Sequence, residues 1–142
     1  MTRRFCNTQH ADIYPEENDI FNGSLNELFD ILSECWCAET CAPRMRDEWT
    51  KGNMTLGQCS KTAFLIQDIF KGEVYGYPLD DGIYHCFNYI DGQIYDLASD
   101  QFKERLVYTL EHEQYRDIHF SKQEKYERYL LLKDRLFKLL NI

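Results

Sequence analysis

Apolar residues first recur at helical spacing at Leu25, Leu28, Phe29, Leu32 and Trp36, one stripe that predicts a helix over residues 24–38. Ser24 and Glu27 open it as a capping box, in which hydroxyl and carboxylate satisfy free amides at the helix start. Residues 40–54 hold Pro43, Gly52 and several charges without a period, the pattern of a loop. A second box, Thr55 to Gln58, precedes Ala63, Ile66, Ile69 and Phe70, and Gly72 ends that second helix. Cys59 therefore falls in its first turn.

Beyond Gly72 the period shortens to that of strands, over residues 73–77, 82–90 and 93–98. Asp91-Gly92 separates the last two, and Asp-Gly between apolar-aromatic runs is the signature of a two-residue hairpin. Around residues 101–108 the pattern predicts a short turn and one further strand. A third box, Ser121 to Glu124, opens a helix reaching about residue 140, whose Tyr126, Tyr129, Leu130, Leu136, Phe137 and Leu140 are expected to cover the sheet. Residues 1–22 are polar and aperiodic, which predicts a loosely attached lead-in ahead of a single α+β domain over 23–142.

Composition narrows the function classes. The chain of 142 residues is long enough for one hydrophobic core, and 44% hydrophobic with 15% aromatic residues is a folded composition. Sixteen basic against 24 acidic residues give a net charge of −8, which disfavours nucleic acid and anionic membranes as partners. No run reaches the roughly 18 apolar residues that span a bilayer, and no apolar export core follows residues 1–4, so a cytoplasmic protein is expected. Its six cysteines then read as reduced thiols.

One of those thiols has a chemical reason to be reactive. A helix N-terminus favours the thiolate, and Cys59 is the cysteine placed there, although most free cysteines are simply small buried residues. The hairpin offers it a partner. A two-residue loop pairs Ile90 with Gln93, hence Phe87 with Asp96 and His85 with Ala98, so His85 and Asp96 become diagonal neighbours on one face, roughly 7–8 Å apart in the backbone. An aspartate within reach of an imidazole orients it as a base, whereas an isolated buried aspartate is costly. Oxyanion donors for acyl transfer are expected from the Cys59 backbone amide and from Asn53 or Gln58, the latter competing with its helix-capping role.

Cys35, Cys37 and Cys41 form a second cluster. Cys-x-Cys on a helix points its two thiols to different sides and departs from structural zinc spacing, so no metal site is expected there. Asp12, Glu16, Glu17 and Asp19 read as a solvated acidic face.

With these residues in view, the middle of the chain resembles the YunG-like family of small bacterial proteins. The resemblance rests on Gly57-Gln58-Cys59 with Thr62-Ala63 and Gln67-Asp68, on His85 with Phe87-Asn88 and Asp91-Gly92, and on Asp96-Leu97 with Gln101-Phe102. It covers residues 45–104 and implies a Cys-His-Asp arrangement in the order of papain-like and transglutaminase-like proteins, with Asn53 matching the family's asparagine. Met54, Leu56 and Ala98 depart from the family pattern and are expected to line the site. The combined expectation is an α+β, papain/transglutaminase-like fold in which a helix bearing the nucleophile packs on a small antiparallel sheet. Cys59, His85 and Asp96 would act on a small-molecule or peptide acyl substrate without a cofactor. The rival readings are a non-catalytic binding module that keeps the three residues as packing, and a redox or metal protein using the Cys35, Cys37 and Cys41 cluster.

Overall fold

The computed structural model describes residues 5–79 and 82–142. Four helices and a four-stranded antiparallel sheet make an α+β fold: α1 Leu25–Leu32, α2 Cys59–Phe70, β1 Glu73–Pro78, β2 Tyr84–Ile90, β3 Gln93–Tyr95, β4 Glu113–Gln114, α3 Arg116–Phe120 and α4 Gln123–Leu140. The strands lie in the order β3-β2-β1-β4.

The capping box of α1 forms as expected: the Ser24 hydroxyl accepts from the Glu27 amide at 3.1 Å, and the Glu27 carboxylate accepts from the Ser24 amide at 3.0 Å. The helix stops at Leu32 instead of 38, because Cys35 N–H bonds the Leu32 carbonyl at 2.8 Å and tightens the chain into a turn. That turn delivers Trp36 to α2, where its indole N–H donates to Thr62 Oγ1 at 2.9 Å. The stripe was legible; its continuation was a turn with the same buried face.

Helix α2 begins at Cys59, and the Thr55 to Gln58 box is not made. Those residues form a turn closed by Gln58 N–H on the Thr55 carbonyl, with Gly57 at φ +69°. A Cβ on Gly57 would lie 2.5 Å from Cys41 Sγ and 2.9 Å from the Ala42 nitrogen, so glycine is required both by the dihedral and by the neighbouring chain. This turn sets where the helix starts, and hence puts Cys59 at its first residue.

The hairpin has the expected register, Ile90 opposite Gln93, Tyr89 opposite Ile94 and Asn88 opposite Tyr95. Asp91 and Gly92 both take positive φ, +49° and +80°, as a type I′ turn demands. Strand β2 starts at Tyr84 instead of residue 82, and β3 ends at Tyr95 instead of 98; beyond it, Asp96 makes an isolated bridge with Cys6. The strand expected near 101–108 is absent there, and the sheet is completed by β4, which pairs with β1.

The C-terminal helix packs elsewhere than the sequence suggested. Helix α2 already covers the sheet through β2 and β1, with Asn88 donating to the Ala63 carbonyl at 2.9 Å, and α4 lies against α2 by way of the buried Tyr129, Leu132 and Leu136. Tyr126 and Leu130 are exposed. The Ser121 box is not formed either: its hydroxyl donates back to the Ile118 carbonyl, closing α3 instead of opening α4.

The lead-in, where it is described, is tied to the core, Ile13, Ile20 and Phe21 packing against it. Its first four residues lie outside the described ones, but Phe5 is only 1% exposed and stacks on Phe29 with ring centroids 5.0 Å apart. Ala11 is buried, and its carbonyl accepts from Asn26 N–H. The segment docks through single anchors spaced irregularly, which leaves no period to read.

Candidate active site

Three elements converge on one small cleft. Cys59 enters from the first turn of α2, His85 from the beginning of β2, and Asp96 from the chain just beyond β3. The Asp-Gly turn places His85 and Asp96 on one face of the sheet, and the His85 Nε2 proton lies 2.7 Å, measured between heavy atoms, from Asp96 Oδ2. Both side chains are about 1% exposed. Burial at that level makes each necessary to the other, since either alone would be an unpaired polar group in the interior.

Asp96 is held from two further directions. Ala98 N–H donates to Oδ1 at 3.1 Å, and the Tyr108 hydroxyl donates to Oδ2 at 2.6 Å. Phe102 meets the His85 ring edge-on at 4.7 Å between centroids. The imidazole is thereby fixed in position, with one nitrogen committed to Asp96. Its remaining nitrogen, Nδ1, is not engaged by Asp96, and His85 and Cys59 line the same cleft.

Strand alternation points His85 and Cys86 to opposite faces, yet Cys59 interacts with both side chains and with the Cys86 backbone, so the α2 N-terminus lies against the strand at this point. The consequences for titration follow. A hydrogen bond from Cys86 and, against burial, the charge and hydrogen bond of His85 hold the Cys59 thiol well below the ordinary thiol range. Cys86 is pushed the other way by its bond to Cys59 and by burial. Burial lowers the His85 pKa, but the Asp96 and Cys59 charges outweigh it and raise the value to about 10. The arrangement favours a thiolate beside an imidazolium. Burial and the Asp96 charge also push the Tyr108 phenol above its ordinary value, keeping it a donor to Asp96.

Gln58, the N-cap of α2, makes no side-chain cap, so it occupies none of the first amides of the helix. The two side-chain oxyanion candidates are not brought there. Asn53 lies in the short turn Lys51–Asn53 outside the cleft, and Gln58 is buried with its Nε2 spent on the Cys37 carbonyl at 3.0 Å. Met54, Leu56 and Ala98 do not line the cleft; Ala98 touches the site through its backbone N–H to Asp96.

The cleft has a volume of about 90 Å³ and is lined by Cys59 and His85 together with Gly57, Lys61, Phe102 and Arg128, among others. The largest cavity, about 600 Å³, is a different space bounded by Cys6, Ser99 and Tyr108, and neither Cys59 nor His85 lines it. Tyr108 and Phe102 went unrecognised as site residues because they sit in irregular chain where no period marks a face. Lys61 was hidden as one more polar residue on a helix. Its ammonium donates to the Gly57 carbonyl at 2.7 Å, and burial lowers its pKa to about 8.

Two thiols of the second cysteine cluster are shifted the other way. Burial raises Cys35 to about 11 and raises Cys41 as well. Among the described residues no three histidine, cysteine or acidic side chains stand together as metal ligands. Nor, among them, is any helix long and apolar enough to cross a membrane.

A family sequence model described as YunG protein matches residues 24–141. An uncharacterized protein YunG of Bacillus subtilis (strain 168) is 33% identical over 78 residues, which are 55% of this chain and 63% of that protein. The match thus spans less than two thirds of the relative's length. No solved structure matches.

Proposed function

The chain belongs to the YunG family, and from the geometry of its cleft we propose that it is a cysteine-dependent acyl-transfer enzyme of the papain or transglutaminase type. The observation that carries this reading is the placing of His85, bonded through Nε2 to Asp96, in one cleft with a thiol at a helix N-terminus. Sγ of Cys59, as thiolate, attacks the carbonyl carbon of the substrate. The oxyanion so formed faces the amides of the first turn of α2, the Cys59 N–H among them. Collapse breaks the carbonyl bond to the leaving amine, which takes a proton from the imidazolium of His85 and leaves a thioester on Cys59. Water or an acceptor amine then attacks, gives its proton to His85, and restores the thiolate. Asp96 fixes the tautomer, and Tyr108 fixes Asp96.

An activated ester tests this. Acylation of Cys59 followed by turnover, lost in Cys59→Ser and in His85→Ala, is the expected result, with the acyl group located by mass spectrometry. Turnover that survives Cys59→Ser overturns the reading. The near-complete burial of His85 and Asp96 favours one rival, a non-catalytic module that keeps the pair as packing. Under that rival, His85→Ala costs stability on the order of 1–3 kcal/mol and leaves Cys59 as reactive as before.

A further inference from the structure

In a chain of net charge −8, the cleft around Cys59 reverses the sign: Arg44, Lys61, Lys125 and Arg128 line it, and no acidic side chain does among the described residues. None of the four takes part in an ion pair among those residues. Lys61 is 4% exposed, and its single hydrogen bond there goes to a carbonyl, leaving two ammonium protons without an acceptor. Arg128 Nε is buried with no hydrogen-bond partner among the described residues. Lys125 spends one proton on the Nδ1 lone pair of His119 at 2.6 Å and gains no countercharge from it. Buried cationic donors of this kind are costly unless an anion completes them. A groove of about 570 Å³ continues from the cleft and shares Arg44, Tyr84, Lys125 and Arg128 with it; Lys122 adds a cation there and Glu113 and Glu124 add acidic groups, so the cationic excess is greatest at the thiol end.

We propose that this cleft takes an anionic acyl donor, a small compound whose reacting carbonyl meets Cys59 while a carboxylate or phosphate on the same molecule is held by Lys61, Arg128 and the cations beside them. This rests on the acyl-transfer reading and adds the substrate class to it. Burial lowers the Lys61 pKa further than the Cys59 charge beside it raises it, and anion binding would return it upward.

Iodoacetate and iodoacetamide differ in charge and little in size, which makes them the probe. With either reagent the Cys59 thiolate forms a carbon–sulfur bond, the carbon–iodine bond breaks, and iodide leaves with the electron pair. Cys37, partly exposed in the same chain, serves as the internal reference. The ratio of the iodoacetate to the iodoacetamide rate should be roughly tenfold higher at Cys59 than at Cys37. It should fall toward the Cys37 value at high ionic strength, in the exposed-site variant Arg44→Gln and in Arg128→Gln. Acetate and inorganic phosphate, compared as protectants of Cys59, separate a carboxylate from a phosphate preference. Equal ratios at the two cysteines, unmoved by salt, overturn the proposal while leaving the acyl-transfer reading intact. If Cys59 instead reacts slowly with both reagents, it is the acyl-transfer reading that fails. The anion site is then judged by melting: inorganic phosphate should raise the Tm of the unaltered chain more than that of Arg128→Gln, and an equal response in both rejects it.

Discussion

Cys35 and Cys59 are two thiols packed on the same core, and their surroundings drive them in opposite directions. Cys35 follows the last turn of α1, where its Sγ meets only the Ile31 carbonyl, an acceptor, and burial lifts its pKa to about 11. Cys59 opens α2, where Cys86 donates to it, an imidazole carries the compensating charge and the helix amides point its way. Burial penalises the thiolate at both places. What differs is whether the surroundings outweigh burial: the Arg135 charge near Cys35 does not, whereas at Cys59 the Cys86 donor and the His85 charge do. A cysteine becomes chemically useful through its neighbours, so a cluster of three thiols on the Cys35 side is less informative than one thiol with a histidine behind it.

The sharpest way to break that contrast is pH. Between about pH 8 and pH 6 the thiolate fraction of an ordinary cysteine falls roughly a hundredfold. Cys59, whose pKa is lowered, holds its thiolate further down in pH, so its alkylation rate should fall much less over that window than that of a free model thiol. Equal slopes would mean that His85 and Cys86 do not hold the thiolate.

Removing the cation comes next. His85→Ala should slow alkylation of Cys59 at neutral pH by roughly tenfold, since the thiolate loses its compensating charge, and leave Cys37 unchanged. Stopped labelling with peptide mass spectrometry reads both sites in one sample. Loss of stability without loss of reactivity would return the histidine to packing.

The turn ahead of Cys59 has an effect on folding instead. Gly57→Ala forces a side chain into positive φ and against Cys41 Sγ and the Ala42 backbone, and should cost on the order of 2 kcal/mol in denaturant unfolding. An unchanged midpoint would show that the turn does not fix the helix start. Smallest of all, Tyr108→Phe removes one of the hydrogen bonds to Asp96 and should lower stability by about 1 kcal/mol, with a modest drop in Cys59 reactivity, again read by melting and labelling.

The parts of this site that are written locally were legible in the sequence. Asp91-Gly92 demands a two-residue turn, and that turn alone dictates that His85 and Asp96 share a face. Ser24 and Glu27 mark α1 because both groups of the capping box lie within one turn. The same motif misled at Thr55 and Ser121, where Gly57 and α3 redirect the backbone before the box can close. Contacts made across long stretches of chain left no trace. Tyr108 reaches Asp96 from an irregular segment, Phe5 docks from a polar lead-in, and the cations of the cleft come from a loop, α2 and α4 separately. Lys125 and Arg128, three apart on α4, share a helix face, but Arg44 and Lys61 join them only in the folded chain. The docking of α4 was misjudged for a related reason: an apolar stripe says that a face is buried and leaves open whether a sheet or a helix buries it.

The central claim is that one thiol of six is prepared for nucleophilic attack, and limited alkylation at neutral pH measures it directly. With substoichiometric iodoacetamide and peptide mass spectrometry, the account predicts modification of Cys59 well ahead of Cys6, Cys35, Cys37, Cys41 and Cys86. Preferential modification of Cys37 or Cys41, with Cys59 left intact, would contradict it.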